Sequence, residues 1–166
     1  KSLFTYLPGS CYSQLVDYLL EGIRESNIKF CTSTGNSLAF LSEYIIKKTK
    51  TDSEESQNIK RVLNEHSSKL SELLEVVLEV IINEESNYMW SLSKPLLGLV
   101  IVNQQNFQEV KNYAIARVTN NLETQQKLNE GINALMQDVT TSLDAKNKDR
   151  FSRNFSEFRK LIPSLR

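Results

Sequence analysis

Few of the residue types that carry enzyme chemistry occur in this sequence, and none stands in a recognised arrangement. His66 is the only histidine. A zinc site or a di-iron bundle would need further metal-binding histidines, and a nucleophilic triad would need its base beside the nucleophile. His66 comes just before a leucine-rich stretch that begins at Leu70, so we expect it near a helix start. The sequence therefore predicts no catalytic, cofactor-binding or metal-ligating residue, and no enzyme.

Carboxylates are frequent, but their spacing indicates a solvated surface. Glu72, Glu75 and Glu79 repeat at steps of three and four, so they share one face of a helix. We expect that face to lie opposite the leucines of the same stretch and to contact water. A catalytic pair of acids would need partial burial, which this pattern does not favour. The glycines are isolated, so no phosphate-binding loop is predicted.

The charge balance argues against nucleic acid and anionic membranes as partners. The 20 Lys and Arg residues match 20 Asp and Glu residues, which gives a net charge of +0, whereas phosphate binding needs clustered positive charge. One basic group with interleaved phenylalanines lies near the end of the chain: Lys146, Lys148, Arg150, Arg153, Phe151 and Phe155. Because both phenylalanines fall on a helical apolar stripe and nearby acids dilute the charge, we predict packing there rather than nucleic-acid binding.

The cysteines and two aromatic residues are the remaining candidates. Cys11 and Cys31 lie in apolar-periodic stretches, which favours small buried side chains in a reducing compartment. A disulfide between them stays possible. Tyr88 and Trp90 precede an apolar run, and a single tryptophan at a helix start more often fills a seam between helices than binds a ligand.

The elements that position these residues are predicted to be helices. Apolar side chains recur at steps of three and four along nearly the whole chain, and no stretch sustains an alternation of period two. The stripes are Leu15–Tyr18–Leu19–Ile23, Leu38–Leu41–Ile45, Leu70–Leu73–Leu74–Val77–Leu78–Ile81, Phe107–Val110–Ala114–Val118, Leu128–Ile132–Leu135–Val139–Leu143 and Phe151–Phe155–Phe158–Ile162. Such stripes are typical of amphipathic helices that share one core.

Start and stop signals agree with the stripes. Asp52, Asn106 and Asn120 each precede an acid by three residues, the spacing at which two side chains satisfy each other's backbone N–H groups. The mixed charges of residues 47–56 indicate a solvated loop before a polar helix at 54–65, with docking as the alternative. Pro163 is expected to end the last helix.

The most apolar run, residues 95–102, is too short to span a bilayer, which needs about 20 apolar residues. If Ser93 caps a helix, Pro95 falls at its second position, where the missing N–H costs nothing. Gly98 would then let a neighbouring helix approach closely. Apolar residues on nearly every side predict a helix that is buried all round. A buried parallel strand is the alternative, but no other strand is visible to pair with it.

These elements predict an all-α fold of roughly seven or eight helices. Antiparallel helix pairs recur at about 40 residues, the period of HEAT and armadillo repeats. We therefore expect pairs that stack as an α-solenoid, because a helix in the middle of a stack has neighbours on both sides. A compact bundle would produce the same stripes and remains the alternative.

Two segments of the chain resemble the C-terminal end of the exportin-7 family, which belongs to the importin-β superfamily of nuclear transport receptors. They are NYMWSLSKPLLGLVIVNQQNFQEVKN (87–112) and LDAKNKDRFSRNFSEFRKLI (143–162), and residues 19–45 are similar more loosely. The matching residues are Trp90–Ser91, Ser93, Pro95–Leu96–Leu97–Gly98–Leu99, Asn103, Phe107, Lys146–Asn147, Asp149–Arg150–Phe151, Asn154 and Phe158–Arg159. Residues 47–66 depart from the family.

The resemblance implies a HEAT-repeat solenoid and a set of partners. Receptors of this family bind Ran-GTP mainly through N-terminal repeats, carry protein cargo on the concave surface and touch nucleoporins while they shuttle between nucleus and cytoplasm. Residues 1–166 would then be the C-terminal helical segment of a longer chain. The resemblance implies no site residues here, since the matched positions most simply preserve packing. The alternative function is a helical adaptor or scaffold outside nuclear transport.

A segment of a solenoid should expose an apolar edge. If a preceding repeat is missing, the first helix, at about residues 11–24, should present Leu15, Val16, Tyr18 or Leu19 to a neighbour or to a second copy, because interior repeats bury both sides.

Overall fold

The computed structural model describes residues 9–25, 28–83 and 90–165, and within these ranges it contains eight α-helices and no strand. The helices are α1 (Gly9–Arg24), α2 (Ile28–Thr49), α3 (Glu54–Glu65), α4 (Ser67–Asn83), α5 (Trp90–Val102), α6 (Phe107–Val118), α7 (Leu122–Leu135) and α8 (Ala145–Leu161), followed by a 3₁₀ turn (Ile162–Leu165). The predicted all-α class is confirmed. None of these helices is both long and apolar enough to cross a membrane.

Paired helices run antiparallel. Asn103, just past the end of α5, donates a hydrogen bond of 3.3 Å to the carbonyl of Leu70 near the start of α4. Asn154 of α8 donates one of 3.1 Å to the carbonyl of Leu135 at the end of α7. The earlier Gly131 of α7 lies beside the later Leu161 of α8, so contacts along this pair advance in opposite directions, as the two arms of a helical hairpin require.

Helices of the same layer instead run parallel. Contacts between α1 and α4, and between α2 and α5, advance in the same direction along both helices of each pair. In chain order the contacts are Asp17–Lys69 and Arg24–Glu72 in one layer, and Gly35–Leu92 and Ser42–Gly98 in the other. This alternation of antiparallel pairs and parallel neighbours is the geometry of a solenoid, in which the same hairpin is repeated by translation.

The remaining helices extend both layers. Helix α6 packs on α4, and α8 packs on α5, so each layer gains a third helix. Helix α7 packs against both α6 and α8, while α3 packs on α2 and α4. The chain therefore forms a two-layer stack of helix pairs, and the expected α-solenoid architecture is confirmed.

The predicted stripes form most of one continuous core. Every residue of the Leu70 stripe and of the Phe151 stripe is buried, and so is the stripe that begins at Leu38. The stripe assigned to α7 is wrong at its end: α7 stops at Leu135, and Val139 and Leu143 lie in the following loop, half-buried against the core. The error arose because Val139 and Leu143 are apolar residues that pack on the core from a loop, and their spacing continues the apolar pattern of α7.

The first helix exposes part of the apolar edge that was expected. Leu15 is 37% exposed and Tyr18 is 72% exposed, whereas Val16 and Leu19 are buried. The expectation named any of these four residues, and Leu15 and Tyr18 are the ones that meet it. Helix α1 packs against both α2 and α4, and these two neighbours cover the face that carries Val16 and Leu19.

The run at 95–102 is helical, as predicted, and most of it is enclosed, since Leu96, Leu97 and Leu99 are all at most 3% exposed. Its last two residues, Ile101 and Val102, are only partly buried. Its start was predicted wrongly. Helix α5 begins at Trp90, so Ser93 lies inside it rather than at its cap. Pro95 therefore lies inside the helix as well, and because proline lacks an N–H it donates no hydrogen bond to the carbonyl four residues earlier. The turn that precedes Pro95 buries Leu92 and Ser93.

Helix caps lie one residue later than predicted at two starts. Ser53, not Asp52, caps α3 and accepts a bond from the Ser56 N–H. Asn121, not Asn120, caps α7. Asn106 does precede α6 as predicted, but its side chain makes no capping bond. The polar helix at 54–65 is confirmed as α3, whereas the preceding loop is shorter than predicted because α2 continues to Thr49.

Candidate protein-docking groove

The histidine and the two cysteines that could have carried chemistry take part in helix ends and packing instead. His66 follows the last residue of α3, and its ring centroid lies 5.7 Å from that of the buried Tyr12. Burial raises the pKa of the Tyr12 hydroxyl. Cys11 and Cys31 are both free thiols, so the possible disulfide does not form. Tyr88 and the side chain of Trp90 lie outside the described residues.

No metal site is visible in the described ranges. Across residues 9–25, 28–83 and 90–165, no three His, Cys, Asp or Glu side chains group closely enough to hold an ion.

The acidic row on α4 is not the solvated surface that its spacing predicted. The side chains of Glu75 and Glu79 are only 14% and 20% exposed, while that of Glu72 is 40% exposed. Arg117 of α6 covers the first two, with its guanidinium 2.7 Å from a Glu75 oxygen and 3.1 Å from a Glu79 oxygen. The sequence could not reveal this contact, because it depends on which face of α4 the later helix α6 packs against.

The environment of Glu79 favours its neutral form. Burial raises the pKa of the Glu79 carboxyl above its ordinary value, the charge of Arg117 opposes that rise, and the adjacent Glu75 carboxylate adds to it. One Glu79 oxygen is buried without a well-aligned hydrogen bond. The single positive charge of Arg117 therefore offsets only part of the free-energy cost of burying the carboxylates of Glu75 and Glu79.

Glu79→Gln should raise the free energy of unfolding at pH 7. A carboxyl whose pKa is higher in the folded state binds its proton more tightly there, so its contribution to stability falls as pH rises through the folded pKa. Glutamine stays neutral and avoids that loss. The gain should shrink toward zero below about pH 4, where glutamate is protonated in both states. Urea unfolding of both proteins between about pH 3 and pH 8 measures the difference.

Glu123→Gln is the control with the opposite sign. A hydrogen bond from Lys127 lowers the pKa of the Glu123 carboxyl, so its contribution is present at neutral pH and is lost as pH falls through the folded pKa. Its replacement should slightly reduce stability at pH 7. If Glu79→Gln were the more destabilising of the two at pH 7, the assigned effect of burial would be wrong.

Side chains of α8 hold the loop that precedes it. Asn147 is 3% exposed. Its amide oxygen accepts a bond of 2.8 Å from the Thr140 N–H, and its amide nitrogen donates to the carbonyls of Thr140 and Ser142. Arg150 donates to the carbonyl of Asp138, a residue with a positive φ of 58°. Asn147 and Arg150, two of the residues that match the exportin-7 family, therefore fix the conformation of this loop. Phe151 and Phe155 of the same helix are buried in the core, as predicted.

Asn147→Ala should lower the free energy of unfolding by about 2 kcal/mol, because each net hydrogen bond contributes about 0.5–1.5 kcal/mol. The amide of Thr140 should also exchange its hydrogen faster, since it loses its acceptor. Chemical denaturation and hydrogen exchange measure the two effects. Arg153→Ala, on the exposed side of the same helix, should change stability by no more than about 0.5 kcal/mol. Equal effects of the two substitutions would contradict this role for Asn147.

A groove with a cavity volume of about 420 Å³ lies where α2, α5 and α8 meet. Its apolar lining includes Leu97 and Phe151, which are 3% and 1% exposed. Phe40 lines the groove from α2 and is 74% exposed, a large fraction for a phenylalanine. The groove therefore combines a core-like base with an aromatic ring that faces solvent.

Charged side chains from all three helices line the same groove. They are Glu43 of α2, Lys94 of α5, and Lys148 and Asp149 of α8. Glu43 lies 3.0 Å from Lys47 and 4.0 Å from Lys148, and hydrogen bonding to Lys47 is the main cause that lowers its pKa. An apolar base under a charged rim can bind a protein segment but offers no nucleophile with a base.

Sequence reasoning missed this groove. Phe40 was the available signal, because it is a large apolar residue out of phase with the stripe of Leu38, Leu41 and Ile45. Its neighbours in the groove come from helices that begin about 50 and 105 residues later in the chain, so only the packing of α2, α5 and α8 brings them together.

No protein-family model matches the chain, and no solved structure matches it. Exportin-7-B of Xenopus laevis is 27% identical over 156 residues, which cover 89% of this chain and 14% of that protein. Ran-binding protein 17 of Mus musculus is 29% identical over 136 residues, or 78% of this chain and 12% of that protein. Exportin-7 of Dictyostelium discoideum is 29% identical over 130 residues, again 78% and 12%.

The chain thus spans about one seventh of the length of the curated relatives that it matches, since 14% of exportin-7-B is covered. The similarity extends over nearly the whole chain rather than over one short motif. The resemblance seen in the two segments is confirmed: across 89% of its length, this chain is exportin-7-like.

Proposed function

We propose that this chain is a C-terminal helical-repeat part of a nuclear transport receptor similar to exportin-7. The receptor carries protein cargo through nuclear pores under the control of Ran-GTP, contacts nucleoporins and shuttles between nucleus and cytoplasm. Residues 1–166 complete its superhelix and act by binding rather than by catalysis. Ran is contacted mainly by repeats that precede this segment.

The similarity to exportin-7 across 89% of the chain carries this proposal. The names of two further relatives, Ran-binding proteins 17 and 16, describe binding to Ran. The two-layer helical stack supports it, because a solenoid presents a broad surface for protein partners.

The test is a binding titration with Ran loaded with GTP or with GDP. The proteins to compare are the longest natural chain that contains these 166 residues and the same chain without them. We expect the longer chain to select the GTP form. Weaker selection after removal would assign this segment a part in the Ran-coupled conformation, and unchanged selection would leave it a structural or cargo-facing part. Absence of nucleotide selectivity in the longer chain would overturn the proposal in favour of the adaptor function.

A further inference from the structure

We propose that Thr51, in the segment between α2 and α3, is a phosphorylation site for a serine/threonine kinase that selects acidic residues after its target. The reaction is phosphoryl transfer from a nucleoside triphosphate to the Thr51 hydroxyl. This inference does not depend on the transport function, because it rests on the hydroxyl groups, charges and exposure of residues 47–56 alone.

Thr51 presents its hydroxyl where an enzyme can reach it. Helix α2 ends at Thr49 and α3 begins at Glu54, so Thr51 lies in a short non-helical segment, and it is exposed. Its hydroxyl donates to the carbonyl of Lys48 at 2.8 Å, a surface hydrogen bond that rotation of the side chain breaks. A kinase can therefore bind this hydroxyl without displacing any part of the core.

The other hydroxyl groups of the segment are less accessible. Thr49, the last residue of α2, is half-buried and donates to the carbonyl of Ile45. The hydroxyl oxygen of Ser53 accepts a bond from the Ser56 N–H as the cap of α3, and Ser56 itself is 0% exposed. Thr51 is therefore the hydroxyl of this segment that can be modified without opening a helix.

Two acidic side chains follow Thr51 and remain available to a partner. Asp52 is the next residue and Glu54 is the third, and both are exposed. Within the described residues, neither side chain makes a hydrogen bond or an ion pair. Asp52 can be recognised in the loop as it stands, and Glu54 needs only the first turn of α3 to fray. Two unpaired carboxylates beside an exposed hydroxyl are complementary to a kinase groove that is lined by lysine and arginine.

Two of the lysines that precede Thr51 are held in place instead. Lys48 lies 2.8 Å from Glu55, and Lys47 lies 3.0 Å from Glu43. Both lysines belong to the last turn of α2. A kinase that selects basic residues before its target would have to break both ion pairs and unwind the end of that helix. These contacts therefore assign recognition to the acids after Thr51 rather than to the lysines before it.

Phosphoryl transfer changes the charge of the segment. The Thr51 oxygen attacks the γ-phosphorus, the bond from that phosphorus to the β–γ bridging oxygen breaks, the nucleoside diphosphate leaves, and the hydroxyl proton passes to a carboxylate of the kinase. Before the reaction, three lysines and three acids cancel among residues 47–55. The phosphate adds a charge of about −1.5 to −2 at pH 7, so a balanced surface becomes an acidic one.

The test uses the 166-residue chain, ATP radiolabelled at its γ-phosphate and two purified serine/threonine kinases, one acid-directed and one base-directed. Incorporated label gives the rate, and mass spectrometry of proteolytic peptides identifies the modified residue. We expect the acid-directed kinase to transfer one phosphate, to Thr51, and Thr51→Val should abolish the transfer. Asp52→Asn combined with Glu54→Gln should slow it about tenfold, since each exposed charge contact that is lost accounts for a few-fold.

Thr141 provides the matched control. It is also exposed in a loop and has an acid three residues later. That acid, Asp144, already accepts bonds from the Asn147 N–H and the Ser142 hydroxyl, so Thr141→Val should leave the incorporated label unchanged. Circular dichroism verifies that every variant is folded. The proposal is overturned if the acid-directed kinase leaves Thr51 unmodified, or if the base-directed kinase modifies it at least as fast. It is also overturned if Thr141 is modified as readily, or if removal of the two acids does not slow the transfer.

Discussion

Phe155→Ala should lower the free energy of unfolding by about 3–5 kcal/mol, the cost typical of removing a fully buried phenylalanine. Phe155 is 0% exposed, and its ring centroid lies 6.2 Å from that of Phe151 in the same helix. Truncation to alanine loses the free energy gained by transferring the ring from water to the core. It also leaves a cavity beneath the middle of α8. Urea unfolding followed by circular dichroism measures the loss, and a partly unfolded variant at 25 °C would agree with it.

Phe40→Ala is the matched control for this prediction. It removes the same ring from a side chain that is 74% exposed, so it should change the free energy of unfolding by no more than about 0.5 kcal/mol. A loss at Phe40 comparable to that at Phe155 would show that Phe40 packs in the core, and the docking groove would then lose its exposed aromatic residue.

Gly98→Ala should destabilise the protein by about 1–3 kcal/mol, the usual cost of overpacking. In an ordinary helix the same change is stabilising by about 1 kcal/mol. Here an added Cβ would lie 2.5 Å from the Cβ of Ser42 on α2. Ser42 is 2% exposed, and its hydroxyl donates to the carbonyl of Leu38 at 2.9 Å. Neither helix can move away without disturbing the buried contacts on both sides of the α2–α5 seam.

A double-mutant cycle isolates this contact. Ser42→Gly removes the atom that the new methyl group would meet, so Gly98→Ala should cost much less in that background, with a favourable coupling of about 1–3 kcal/mol. Gly35→Ala is the control at the same seam, since its Cβ would lie 3.3 Å from the nearest atom, a methyl carbon of Leu92. It should be nearly neutral. Equal costs for Gly98→Ala in both backgrounds would contradict close approach as the reason for the glycine.

Helix identity could be read from the sequence because it depends on local spacing. The Leu70 stripe predicts α4, and the Phe151 stripe predicts α8, since both place apolar side chains on one face of a helix that then becomes buried. Helix ends were less predictable. Asp52 and Ser53 are both good capping residues, and their backbone conformation decides which of them caps.

The environment of a charged side chain could not be read in the same way. Glu75 and Glu79 have the spacing of a solvated face, yet Arg117 covers them because α6 packs on that side of α4. The spacing of residues within one helix gives no information on which later helix will lie against it, and burial of a carboxylate requires that second helix.

By itself, the sequence determined the all-α class, the approximate helices and the enclosed helix at 95–102, because each depends on residues that are close in the chain. It also determined the similarity to exportin-7, which is a comparison of residue order over 89% of the chain and needs no structure. Only the tertiary structure decided the stacking order, the contact between Gly98 and Ser42, and the groove beside Phe40. Those features join residues that are tens of residues apart, and their positions follow from how whole helices pack rather than from local preference.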